Sequence, residues 1–256
     1  MKNTAPRFVT TLLLTVLLTG AVTGAACAAA SPYADFSYSK IDPSWGVVTK
    51  EEFNALMKDV KHPTSYSTQF SAIMQYLGWI SPPSPSLEAL IHEVTTRQIV
   101  IHEEEIARLK AYIDKVKPSN QNAKKIARVC WDIHYLYQEI YDFEFPYLVI
   151  ERNLSSALTP DANADTEETL TLETIDPEHL TQKSLYWINK EIEGIRSILS
   201  YYQDYYKDWD TAKSTVTRMI TLLEIRHNYF RSYFQHEGFV FPEHVDYPIP
   251  TWKLGS

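Results

Sequence analysis

Oxygen-bearing side chains alternate at the start of the stretch DANADTEETLTLE: Asp161, Asn163 and Asp165 stand at the first, third and fifth places of an EF-hand type calcium loop. Such a loop continues with a glycine, an aliphatic residue two positions later and a bidentate glutamate at the twelfth place. Here those places hold Thr166, Glu168 and Leu172. The ligand set does not close, and the residues support a solvated acidic loop. The complementary half of the motif lies far upstream, where Gly46, Val48, Thr49 and Glu52 match the sixth, eighth, ninth and twelfth places behind Ile41, Pro43 and Trp45. Those three carry no ligand for a hard cation, whereas Thr49 and Glu52 have the spacing of a capping box that opens a helix.

Transition-metal chemistry in a helical bundle needs two E-x-x-H pairs and two further glutamates on facing helices. The chain offers one pair, Glu224 and His227 in EIRH, and a second histidine, His102, on an apolar stripe. Cys130 and His134 stand four apart, as a two-ligand clip or an imidazole-activated thiolate requires. Cys130 also flanks Val129 and Ile133, which predicts a small buried hydrophobe. There is no G-x-S-x-G, no glycine-rich phosphate loop, no H-E-x-x-H and no C-x-x-C. No catalytic residue, cofactor or metal ligand is therefore assigned.

The run SYYQDYYKDWD concentrates aromatic side chains. Tyr202, Tyr206 and Trp209 fall on the apolar stripe, while Tyr201 and Tyr205 project from another side next to Ile198. Either the N-terminal helices or the C-terminal tail cover Tyr201 and Tyr205, or these two side chains form a contact surface for a protein partner; sugar stacking is the weaker use of such a face.

The elements that position these residues are helical. Apolar residues recur in steps of three and four at Ile126, Val129, Ile133, Leu136, Ile140, Phe143, Tyr147, Ile150 and Leu154, with Pro146 marking a kink or a restart. A second stripe runs through Leu185, Ile188, Ile192, Ile195 and Leu199 and, past Lys213, resumes in register at Val216, Ile220, Leu223, His227, Phe230 and Phe234. The unbroken register predicts one helix over 177–237, a rod of about 75 Å, with Asp176 as N-cap and Gly238 as stop. A third stripe (Ile99, His102, Ile106, Leu109, Ile113, Val116) begins behind Ser84 and Pro85. Shorter helices are expected at Thr49 to Val60 and Thr64 to Leu77. The expected fold is all-α: an elongated antiparallel bundle of three long helices with coiled-coil-like heptad packing and two short N-terminal helices. In segments, 31–84 holds an extended stretch and the short helices, 85–238 the bundle with an acidic loop at 159–175, and 239–256 a proline-rich tail.

Residues 1–30, with Lys2 and Arg7 ahead of FVTTLLLTVLLTGAV and the small-residue end at Ala28 to Ala30, have the layout of a secretory signal peptide. The rival reading is lipidation at Cys27 after two small residues, with Gly24 where that motif wants leucine; it converts an exported protein into a membrane-anchored lipoprotein. Once such a leader is removed, Cys130 is the remaining cysteine, so no disulfide forms within the chain. Acidic residues (32) outnumber Lys and Arg (24), and the basic residues form no run. That balance disfavours nucleic acids and anionic membranes as partners. In architecture alone the expected bundle resembles exported components of secretion systems and pilus tips. The function expected is a non-enzymatic protein that mediates protein–protein contacts in the bacterial envelope or outside the cell, with a helical bundle binding a metal or small ligand as the alternative.

Overall fold

The computed structural model describes residues 33, 35–41, 48–80, 84–149, 170–205 and 208–246, apart from the side chains of 149 and 202–205. The leader, Cys27, Gly46, residues 161–169 of the Asp161 loop and the last ten residues lie outside that set. Among the described residues the protein is all-helical, without a strand.

Two short helices come first. Helix α1, Lys50–Lys61, starts at the expected capping box: the Glu52 N–H donates to Thr49 Oγ1 at 3.2 Å, and the Thr49 N–H donates to Glu52 Oε2 at 2.8 Å. Helix α2, Tyr66–Leu77, is capped by Ser65. Their buried faces (Phe53, Leu56, Met57 and Val60; Ala72, Ile73 and Tyr76) close over the first turns of the next helix through Leu87, Leu90, Ile91 and Val94. Phe36 seals this small core edge-on against Tyr76.

Helix α3, Pro85–Lys115, has Ser84 as N-cap and proline at its first position. Helix α4, Asn120–Glu139, follows behind the Ser119 cap. At its end the backbone widens into a π-helical turn, Ile140–Glu144, in which the Phe145 N–H reaches back five residues to the Ile140 carbonyl; α5, Phe145–Val149, continues the path. The widening answers Pro146, whose ring would strike the residue 142 carbonyl in a regular helix. It also rotates the stripe by one residue. Phe143, expected inside, is 55% exposed, and Glu144 takes its place in the core with Leu148 one turn later.

The long helix expected over 177–237 is two helices. Asp176 accepts from the Glu178 N–H and contacts His179 without starting a helix. Helix α6, Gln182–Tyr205, begins after Thr181, whose hydroxyl accepts from the Ser184 N–H at 3.1 Å. Helix α7, Trp209–His236, has an extended N-cap, Asp208, whose carboxylate accepts from the Asp210 and Thr211 N–H groups. The two pack side by side: Arg218 reaches Glu191 at 2.9 Å and Arg226 reaches Asn189 at 2.8 Å, so the chain reverses between them. The register crosses the turn intact because both helices bury their stripes against α4. Helix α7 ends where expected, at Gly238, whose φ of +90° suits glycine.

One core therefore joins α3, α4, α6 and α7 through Ile106, Ile113, Ile126, Ile133, Leu185, Ile192, Leu199, Val216, Leu223, Phe230 and Phe234, among others. The expected Leu185 to Leu199 stripe is buried throughout. On α7 the buried arc is wider than the stripe and adds Ala212, Met219, Leu222 and Arg226, while Lys213 stays partly exposed and contacts Asp114 at 3.4 Å. Over residues 239–246 the chain runs without regular structure along α3, burying Val245 beside Val100 and Ile101.

Candidate functional site

The aromatic run on α6 divides as its spacing requires. Leu199 lies in the core, whereas Tyr201 is 60% exposed and Ile198, three residues before it, is 43% exposed. Residues three apart on a helix are surface neighbours, so the pair forms an apolar face turned to solvent. Tyr205 lies one turn further along the same helix, but its side chain falls outside the described set. The α1 and α2 helices, offered as a cover for this face, pack on α3 instead.

The polar residues singled out for metal chemistry are dispersed. Glu224 pairs with Lys110, and His227 Nε2 meets Glu103 Oε1 at 2.8 Å, so this E-x-x-H pair does not converge. Arg231 Nε donates to the same Glu103 oxygen at 2.8 Å. Burial works against the Glu103 carboxylate, but His227 and Arg231 outweigh it and hold its pKa below the usual range. His102 Nδ1 stands 2.9 Å from Glu144 Oε1, without the alignment of a good N–H···O bond, while its Nε2 contacts Gln98 at 3.0 Å. Burial pushes the Glu144 carboxyl up, and His102 offsets this only in part. For His102 burial favours the neutral ring, yet the adjacent Glu144 prevails and the pKa is raised. Among the described residues no three His, Cys, Asp or Glu side chains gather as a metal would require. These pairs connect α3 to the π turn and to α7.

Cys130 and His134 are both buried. Burial pushes the thiol up to about 12, and its nearest polar contact is the Val216 carbonyl at 3.9 Å. Burial, reinforced by Arg226 and Arg196, pushes His134 down to about 4. At neutral pH the two are a thiol and a neutral ring, not a thiolate and an imidazolium, so the nucleophile reading has no chemistry to work with.

Two features escaped sequence reasoning. Arg226 is 4% exposed, with its guanidinium 4.1 Å over the Tyr141 ring and bonded to the Asn189 amide oxygen; it sits beside a stripe position, where an arginine reads as solvent-facing. The second is the turn between α3 and α4, where Lys115, Lys117 and Lys125 rim a groove over Tyr112 and Val116. No basic run announces it. Its signal is the absence of any acidic residue from Lys115 to Trp131 in an acidic chain. Comparison with known proteins finds no matching family model, no matching curated protein and no matching solved structure.

Proposed function

We propose that this chain is an exported, non-enzymatic helical protein that binds a protein partner in the bacterial envelope or outside the cell, using the Tyr201 face of α6. The observation that carries the reading is the exposure of Tyr201 beside Ile198 on a helix whose opposite side is fully buried. Tyrosine suits such a contact because its ring buries apolar area while its hydroxyl keeps a polar partner. Export is supported by the leader-like order of charge, apolar run and small residues in 1–30. No described helix is long and apolar enough to cross a membrane.

A photo-reactive benzophenone side chain at position 201, with position 58 on α1 as the exposed control, tests the contact in native envelope and culture-supernatant fractions. A discrete adduct from position 201 that is absent at position 58 and weakened by Ile198→Ser is expected. Identical adducts from both positions, or none from 201, would overturn the reading. N-terminal analysis of the exported form tests processing: a start at Ser31 is expected, and a lipid-modified Cys27 would make the protein a lipoprotein.

A further inference from the structure

We infer that the groove at the α3–α4 turn docks an acidic segment of a protein partner. This rests on the interaction reading above, names a partner chemistry for it and uses a different surface from Tyr201. The groove holds about 260 Å³. Half-buried Tyr112 and Val116 line it, exposed Lys115, Lys117 and Lys125 rim it, and Asn122 fixes the turn by donating its side-chain N–H to the Lys117 carbonyl at 2.9 Å. Lys124 extends the positive charge along the exposed side of α4, and Arg128, one turn on, faces Asp132.

The described acids beside the turn, in sequence or across the contact between Trp209 and Asn120, have roles of their own. Asp114 contacts Lys213 at 3.4 Å, Asp208 caps α7, and Asp210 occupies the first turn of α7, where the helix dipole favours it. None of them forms an ion pair with Lys115, Lys117 or Lys125 among the described contacts. The N-terminal turn of α4 adds its own positive end to the same place, since Ser119 satisfies only the Asn122 N–H. In a chain of net charge −8, Lys115, Lys117 and Lys125 thus meet at one turn without an ion pair among the described residues.

The shape argues for a peptide over a lipid surface or a nucleic acid. Among the described residues the exposed large apolar side chains (Tyr38, Tyr135, Phe143, Ile198, Tyr201 and Val240) all lie outside 112–128, so no described apolar side chain at the turn is free to enter a bilayer. Tyr112 is a single half-buried ring, whereas single-stranded nucleic acid needs successive stacking platforms along a basic track. Carboxylates with an apolar residue between them match a lysine rim over a tyrosine and valine floor.

Fluorescence anisotropy of the purified protein with a labelled Glu/Leu peptide, its Gln/Leu counterpart, phosphatidylglycerol vesicles and a poly(dT) oligonucleotide tests the assignment. The Glu/Leu peptide is expected to bind and to weaken with added salt. Lys115→Gln combined with Lys117→Gln and Lys125→Gln should weaken it about tenfold with an unchanged melting temperature, and Lys125→Glu alone should act in the same direction. The control that removes equal charge from α1, Lys50→Gln with Lys58→Gln and Lys61→Gln, should retain affinity within about twofold. Equal losses in both triple variants, equal binding of the Gln/Leu peptide, no binding of the Glu/Leu peptide, or tighter lysine-dependent binding of vesicles or oligonucleotide would each overturn the proposal. Adducts at position 201 that persist in the groove variant would leave the interaction reading standing while the groove fails.

Discussion

Burial pushes the Cys130 thiol up to about 12 and the His134 ring down to about 4, and both directions have measurable consequences. A thiol that stays protonated inside the core should react with iodoacetamide at neutral pH far more slowly than the same residue in the unfolded chain. A labelling time course in buffer and in guanidinium checks this, and rapid modification of the native protein would place Cys130 at an accessible position. For His134, the folded pKa lies below the ordinary value of 6.5, so the unfolded state takes up the proton first as pH falls. Stability should therefore rise with pH between about 4 and 6.5 from this group. His134→Gln should shed that contribution: its melting temperature relative to the parent should climb as pH is lowered through this window and level off below it. An unchanged difference across the window would mean that His134 is solvated. Spacing alone placed Cys130 and His134 together, but ionisation follows from burial, which the sequence shows only through their apolar neighbours.

Helix ends were legible where a cap and an apolar run agree, as at Thr49 with Glu52, Ser84 with Pro85, and Gly238. The single rod expected over 177–237 fails at Asp208, where a second helix starts. Asp176-Pro177-Glu178 has a stronger N-cap pattern than Asp208-Trp209-Asp210, yet the structure starts a helix only at the second. Unbroken heptad spacing across the Asp208 turn argued for continuity, but two antiparallel helices lining one neighbour satisfy the same spacing. Asp208→Ala removes the acceptor for two otherwise unpaired N–H groups and should cost about 1 kcal/mol of stability. Denaturant unfolding measures that loss; no change would mean that the turn is held by other contacts. The π turn before Pro146 was foreseen only as a kink or restart. Its consequence, the exchange of Phe143 for Glu144 in the core, depends on an extra residue per turn that no periodicity count includes.

At the scale of the molecule, the all-α class and most of the core were legible because the stripes of α3, α4 and α6 are regular. The number of long helices was not, and it decides how the functional surfaces are presented. The Tyr201 face lies on the outside of an α6–α7 hairpin, and the lysine groove lies at the turn whose α4 end is tied to α7 by the Trp209 N–H donating to Asn120 Oδ1 at 3.0 Å. Neither arrangement survives if α6 and α7 form a single rod. Paired spin labels at Glu191→Cys and Arg218→Cys, with Cys130 buried and unreactive, measure this directly. These positions are in contact in the folded chain, with Arg218 Nη2 2.9 Å from Glu191 Oε2, so the hairpin predicts a separation below about 20 Å between labels on neighbouring helices. A continuous helix would hold the same positions about 40 Å apart, and a distribution centred there would contradict the account.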